Sequence, residues 1–322
     1  MFQQLSQFFE SMPFFNSVAF GIISMVIVGS SWCLVGLVMG DAPKKGIDAS
    51  LVQFFGSVFS CCFSLVIMLV TSAYSTASFK VTFWTVLSYM LNGTLNFIML
   101  QIMSKAMQCG PNGIIWSIIQ SALVFPFIVG IVFFDVKLTL LRGIGIFLLL
   151  SALVIFALGK DNSSKNGKWK LLAFLALFIT AIQQNLSTLP SYFEAARGVP
   201  SIVRALSSSS GVLLGAVVLN LILMNREHWM KIKSNSRNMT LWKYIGALQF
   251  FSLIFSYTLF YPGMNIMADA GMGGMCYPMM VGSCIISFSV SSIFILKEKM
   301  RLIQIAGLVI CICGLILICT KA

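Results

Sequence analysis

The sequence predicts an all-α integral membrane protein of ten transmembrane helices, arranged as two inverted five-helix repeats. Composition, the number of apolar runs and an internal similarity carry that prediction. Of 322 residues, 58% are hydrophobic and only 9% charged, and the mean hydropathy is +0.95. Soluble domains run about 45–50% apolar and about 25% charged. Nine acidic and 21 basic side chains cannot clothe a water-facing surface of this size. Disordered chains are polar and highly charged, so that class is excluded too.

A membrane helix needs about 20 mostly apolar residues. Such runs lie near 14–39, 51–71, 82–104, 112–134 and 140–158, then near 169–189, 202–224, 241–262, 272–296 and 302–320. They are uniformly apolar rather than alternating, and an open sheet edge could not be satisfied in lipid, so they are read as helices and not as a barrel. The net charge of +12 sits in the gaps between these runs, which is the pattern of membrane topology rather than of nucleic-acid binding. With ten spans both termini share a side. Lys80, Lys137, Arg142, Arg197, Arg204 and Lys321 fall on that side, and the other fifteen basic residues fall opposite. The positive-inside rule then puts both termini outside the cytoplasm. Lys44 is the first basic residue, so the N-terminus lacks the basic region of a cleaved signal peptide.

Residues 112–158 and 274–320 resemble each other at an offset of 162. Each is a long apolar run, a short charged turn (Asp135-Val136-Lys137 in one, Lys297-Glu298-Lys299 in the other) and a second run with an early glycine, Gly145 or Gly307. This divides the chain into a first repeat, 1–158, a polar linker, 159–168, and a second repeat, 169–322. Five spans per repeat is an odd number, so the second copy enters the membrane from the opposite side. Inverted repeats are the usual architecture of secondary transporters, with the solute held near the midplane between them.

Ten helices in two inverted halves resemble the drug/metabolite transporter superfamily, including its EamA-type exporters. The stretch Phe294-Ile295-Leu296-Lys297-Glu298-Lys299, followed by Gly307 and Gly314, looks like the end of that superfamily's repeat. A second similarity is to the rhamnose and glucose/ribose porter branch. It rests on Pro43-Lys44-Lys45, on Asn92-Gly93-Thr94-Leu95-Asn96, and on Gly113-Ile114-Ile115-Trp116-Ser117 with Gln120-Ser121. The first repeat departs from the superfamily pattern by carrying Asp135 where a glutamate is common. The resemblance implies a carrier in a bacterial cytoplasmic (inner) membrane, working by alternating access as a monomer or a homodimer, with a proton or sodium as the candidate coupling ion.

Polar groups inside a bilayer are costly and mark either helix contacts or a solute path. Ser88, Asn92 and Asn96 recur at spacing four and share one helix face, as do Tyr257, Tyr261 and Asn265. Gln183, Gln184 and Asn185 lie mid-span, and Trp32, Trp116 and Gln120 lie in the first and fourth spans. The substrate-binding candidates are therefore Trp32, Asn92, Asn96, Trp116, Gln120, Gln184, Tyr257 and Tyr261. Amides donate and accept hydrogen bonds, and indole or phenol faces pack on a sugar or a nucleobase. The expected solute is small, polar and uncharged or zwitterionic, sugar-like or nucleoside-like. The alternatives are an EamA-type exporter of amino acids or drugs and a non-transporting membrane scaffold. Coupling candidates are Glu194 and Asp269, both at span ends, since no acidic or basic residue lies in the middle third of a span.

No enzyme is expected. The one histidine, His228, is in a polar loop, central acids are absent, and there is no phosphate-cradling Gly-x-x-x-x-Gly-Lys-Ser/Thr motif. Cys61-Cys62 and Cys311-x-Cys313 lack zinc-ligand spacing, so neither metal nor cofactor is expected. The expected partners are a small-molecule substrate and the lipid bilayer.

Overall fold

A computed structural model describes residues 17–42, 45–110, 112–158, 168–294 and 302–320. The basic turn at Pro43-Lys44, linker residues 159–167 and the repeat end at 295–301 lie outside the described residues. Those described form helices and turns with no strand among them. Helix α1 (Val18–Ser31) begins at Ser17, whose hydroxyl accepts from Phe20 N at 3.2 Å, and passes through Trp32 into α2 (Cys33–Asp41). Helix α3 (Ala49–Thr71) is capped by Asp48, accepting from Ser50 N at 2.9 Å. It ends at Ser72 in the left-handed region, φ 50°. Helix α4 (Phe79–Cys109) runs 31 residues. Helices α5 (Asn112–Gln120) and α6 (Val124–Phe134) are joined by a 3-10 turn, and α6 stops at Asp135, also left-handed at φ 50°. Helix α7 (Leu140–Leu158) completes the first part of the chain.

After the linker come α8 (Lys168–Tyr192), a 3-10 turn at Glu194–Gly198 and α9 (Ser201–Ile222). A short polar helix, α10 (Arg226–Ser236), precedes α11 (Met239–Phe255). A π turn at Ser256–Phe260 leads into α12 (Tyr261–Asp269). A 3-10 turn at Gly273–Met275, α13 (Cys276–Phe294) and α14 (Leu302–Ile318) follow.

Six helical stretches are long and apolar enough to cross a membrane: Val18–Met39, α3, α4, α8, α9 and Met239–Asp269. Four shorter apolar stretches accompany them: Ile118–Phe134, Leu140–Ile155, Gly273–Phe288 and Ile305–Ile318. The chain is a multi-pass membrane protein. Its outer surface agrees, since Phe79, Leu140 and Leu302 are each at least 80% exposed, a disposition that lipid tolerates and water does not.

Two prolines lie within helical stretches without breaking them. Pro190 does not end its helix, because it sits in the last turn of α8, which runs to Tyr192. Pro262 does not break its span either. The backbone widens into the π turn just before it, and Tyr261 N donates to Ser256 O five residues back. That loosened turn makes room for the ring that would otherwise press on the carbonyl four residues earlier.

Inside, helices pack where small residues let backbones meet, the usual device in lipid, where burial of apolar surface gains little. A Cβ on Gly93 of α4 would collide with the Ser208 carbonyl of α9, and one on Gly211 of α9 would collide with the Met90 carbonyl of α4. Gly145 of α7 and Gly314 of α14 form a reciprocal pair, each Cβ site 2.8 Å from the other's carbonyl oxygen. Elsewhere the core is rich in methionine, with Met25, Met264, Met267, Met275, Met279 and Met280 all in one buried cluster. Unbranched, polarizable side chains of this kind fill the irregular gaps between broken helices.

These contacts generate a paired prediction. Gly93→Ala and Gly211→Ala each force α4 from α9 and should lower stability by about 1–3 kcal/mol. Gly246→Ala, where an added Cβ meets nothing within 4 Å, should leave it unchanged or raised. Thermal denaturation of the three variants in detergent checks the contrast.

Candidate functional site

A cavity of about 240 Å³ opens at the centre of the bundle. Its wall is built by α1 and α2 (Ser31, Trp32), α4 (Asn92, Asn96), α5 (Trp116, Gln120), α8 (Thr180, Gln183, Gln184, Ser187) and α9 (Ser208). Residues 248–261, which run from α11 through the π turn to Tyr261, and Tyr277 of α13 complete it. Trp32, Asn92, Asn96, Trp116, Gln120, Gln184 and Tyr261 are thus brought together from five separate helical segments. Tyr257 lies in the π turn, and its side chain is outside those described. Glu194 is exposed in its 3-10 turn, and Asp269 at the end of α12 is ion-paired with Arg197. Neither acid lines the cavity.

Local rules explain the geometry. On α4 a spacing of four keeps Asn92 and Asn96 on one face. Trp32 occupies the single-residue break between α1 and α2, and its ring lies 5.9 Å from that of Tyr277, tilted by 42°. The Trp116 ring stacks on Phe288 at 6.4 Å. Asn92 Nδ2 donates to Ser208 Oγ and Gln183 Nε2 to Asn96 Oδ1, both at 3.5 Å, the outer limit of a hydrogen bond. Ser187 bonds the Tyr277 hydroxyl and donates to Gln184 O at 3.0 Å. Asn92 Oδ1, Gln184 Oε1 and Trp116 Nε1 are buried and have no partner among the described residues. A buried polar atom of this sort is expensive unless something meets it. Every residue lining the cavity is uncharged.

A smaller chamber of about 170 Å³ lies alongside, between α3, α9 and α11. Sequence reasoning missed its polar residues, Gln53, Ser57, Ser60 and Gln249. It also missed Tyr277 and Ser208. Gln53, Ser57 and Ser60 recur at spacings of four and three, and Gln249, Ser252 and Ser256 at three and four, so two polar helix faces were there to be read. Tyr277, by contrast, stands alone in an apolar run and Ser208 in a serine run. Asn265 was expected on a face with Tyr257 and Tyr261, yet its Oδ1 accepts from Arg204 Nη1 at 3.1 Å. Arg204, only 1% exposed, also donates from Nε to Val199 O at 3.0 Å and from Nη2 to Ala196 O at 2.9 Å. It ties the turn before α9 to α12, just below Tyr89 and Tyr261, whose rings meet edge to face at 5.1 Å.

Among the described residues no group of three or more His, Cys, Asp or Glu could hold a metal ion. The nine cysteines are free.

No protein-family model matches the chain, and no curated protein matches it. Among solved structures, one described only as "Crystal structure of protein" superposes with a TM-score of 0.63 at 11% identity, covering 93% of this chain and 95% of its own. At that identity the likeness is one of fold.

Arg204 gives the site its testable support. Replacing it with methionine would keep the volume and strand two backbone carbonyls and Asn265 without their donor, at about 1–3 kcal/mol for each buried group left unpaired. Arg204→Met should therefore lower the apparent melting temperature in detergent, although an apolar residue is otherwise favoured inside a membrane.

Proposed function

We propose that the chain is a secondary transporter that carries a small, polar, neutral or zwitterionic metabolite across the membrane by alternating access. The observation that carries this reading is the central cavity, where Asn92 Oδ1, Gln184 Oε1 and Trp116 Nε1 are buried without partners amid an uncharged, aromatic lining. Two unpaired acceptors and an unpaired donor, on residues that line an aromatic-walled space, suit hydroxyls and ring faces, as a sugar or a nucleoside supplies. Neither a lipophilic cation nor an anion would find a counter-charge there.

In this reading the six long helices and four shorter ones are ten spans, with both termini outside the cytoplasm, as in the drug/metabolite transporter superfamily. The helix contacts support an inverted repeat. Let α1–α2 correspond to α8, α3 to α9, α4 to α11–α12, α5–α6 to α13, and α7 to α14. Then the contact of α1 with α13 has its counterpart in α8 against α5 and α6, and α4 against α8 in α12 against α1. The contact of α4 with α9 has its counterpart in α11 against α3, while α7–α14 and α3–α9 pair across the axis. A scaffold has no need of such symmetry, whereas exchange of two halves around a fixed site depends on it. Glu194 and Asp269 lie away from the cavity, so facilitated or exchange transport is favoured over proton coupling through either.

The test is counterflow of radiolabelled glucose and uridine into liposomes containing the purified protein. Asn96→Ala and Gln184→Ala should each slow exchange about tenfold, the effect of losing roughly 1.4 kcal/mol of solute hydrogen bonding, with folded yield unchanged. Wild-type exchange by both variants would overturn the site, and no exchange of any neutral solute by the unaltered protein would overturn the function.

A further inference from the structure

The smaller chamber adjoins the central cavity, with Asn96, Ser208, Ser252 and Tyr261 in the wall of both, yet its chemistry differs. The central cavity carries Trp32, Trp116, Phe251, Phe255, Phe260 and Tyr277, whereas the smaller chamber has Tyr261 as its one aromatic residue. In place of rings it has amides and hydroxyls: Gln53, Ser57, Ser60 and Gln249, with Ser208 and Ser209 opposite. Gln53 decides what the chamber is for. It is 6% exposed, and both its amide nitrogen and its amide oxygen lack a partner among the described residues. Its neighbours are already engaged. Ser57 Oγ donates to Phe54 O at 2.9 Å, and Ser60 bonds Gln249, whose amide lies across Gly56. Among the described residues Gln53 is the one amide with both of its polar atoms buried and unpaired, and such a group costs stability unless something meets it. Sites that break a local rule in this way are where function is expected.

We propose that this chamber is the second half of the solute site: it takes the hydroxyl-rich ring of a two-ring neutral solute, with Gln53 donating to and accepting from vicinal hydroxyls, while the other ring stacks in the aromatic cavity. The inference rests on the transporter reading and narrows its substrate class. Vicinal hydroxyls present a donor and an acceptor at adjacent atoms, the complement of a primary amide. A nucleoside has the required form, and so does a disaccharide.

Binding of four probes to the purified protein in detergent, by isothermal titration, tests this: uridine against uracil, and maltose against glucose. In the unaltered protein one two-ring compound should bind at least about tenfold more tightly than its one-ring half, and which pair does so names the source of the ring. Gln53→Met should abolish that advantage, leave the affinity for uracil unchanged, and keep or raise the thermal midpoint, because it removes an unpaired buried amide. Ser57→Ala, which loses one hydroxyl bonded within its own helix, should reduce the advantage in a chain of ordinary stability. A two-ring advantage that survives both substitutions overturns the chamber's role and leaves the transporter reading intact. Equal affinity for both members of each pair also overturns the chamber alone. If no neutral probe binds the unaltered protein, the transporter reading fails and the inference falls with it.

Discussion

The backbone contact between α4 and α9 governs the rest of the bundle's interior. At Gly93 and Gly211 the two helices approach until each occupies the space a side chain would need on the other. Thr94 locks the crossing, its hydroxyl lying 3.0 Å from both Met90 O and Gly211 O. One turn away this closeness lets Asn92 of α4 reach Ser208 of α9, at the junction of the two chambers. On its other flank α4 is pinned to α8, where Ser88 Oγ donates to Leu186 O at 2.8 Å and Tyr89 OH to Ser187 O at 3.2 Å. The helix that carries two of the site amides is thus fixed on both sides by contacts that need no apolar driving force, which lipid would not supply.

Two arginines perform a related task at the margins. Arg142 and Arg204 are each 1% exposed, and among the described residues neither has a carboxylate as a hydrogen-bond partner. Arg142 donates to Lys137 O at 3.0 Å and, from Nε and Nη2, to Thr320 O just beyond α14. Arg204 serves the carbonyls of the turn before α9 and the Asn265 side chain. The planar fork of a guanidinium can satisfy several diverging oxygens at once, and the carbonyls exposed where helices end are the natural recipients. Their charge favours the negative end of a helix dipole as well.

Much of this architecture was legible in the chain. Uniformly apolar runs gave every helical stretch long enough to span, because lipid imposes one length and one composition. A spacing of four on α4 marked Asn92 and Asn96, and rarity within apolar runs marked Gln120, Gln184, Trp32 and Trp116. What stayed hidden depends on tertiary structure. Arg204 reads as a charge at a span end, since nothing local tells that the preceding turn will fold back over it. Gln53 heads a polar helix face with Ser57 and Ser60, and nothing local tells that α9 and α11 leave a chamber against it. The π turn before Pro262 arises from strain relief, and the sequence shows only the proline. The inner surface of α9 is a serine run whose members look alike, yet Ser207 donates to Val203 O at 2.7 Å within the helix while Ser208 lines both chambers. Which serine faces inward is set by the α4 crossing.

An uncharged cavity has a bioenergetic corollary. The electric field across a membrane does work only on charge that moves through it, about 2.3 kcal/mol per elementary charge per 100 mV. The lining residues bring none, and a neutral solute adds none. For such a carrier the potential exerts no thrust on either the loaded or the empty reorientation, and net flow is set by the concentration ratio of the solute. An uncoupled carrier of a neutral solute would equilibrate a pool rather than accumulate one, and metabolism of the solute on either side would decide the direction of traffic.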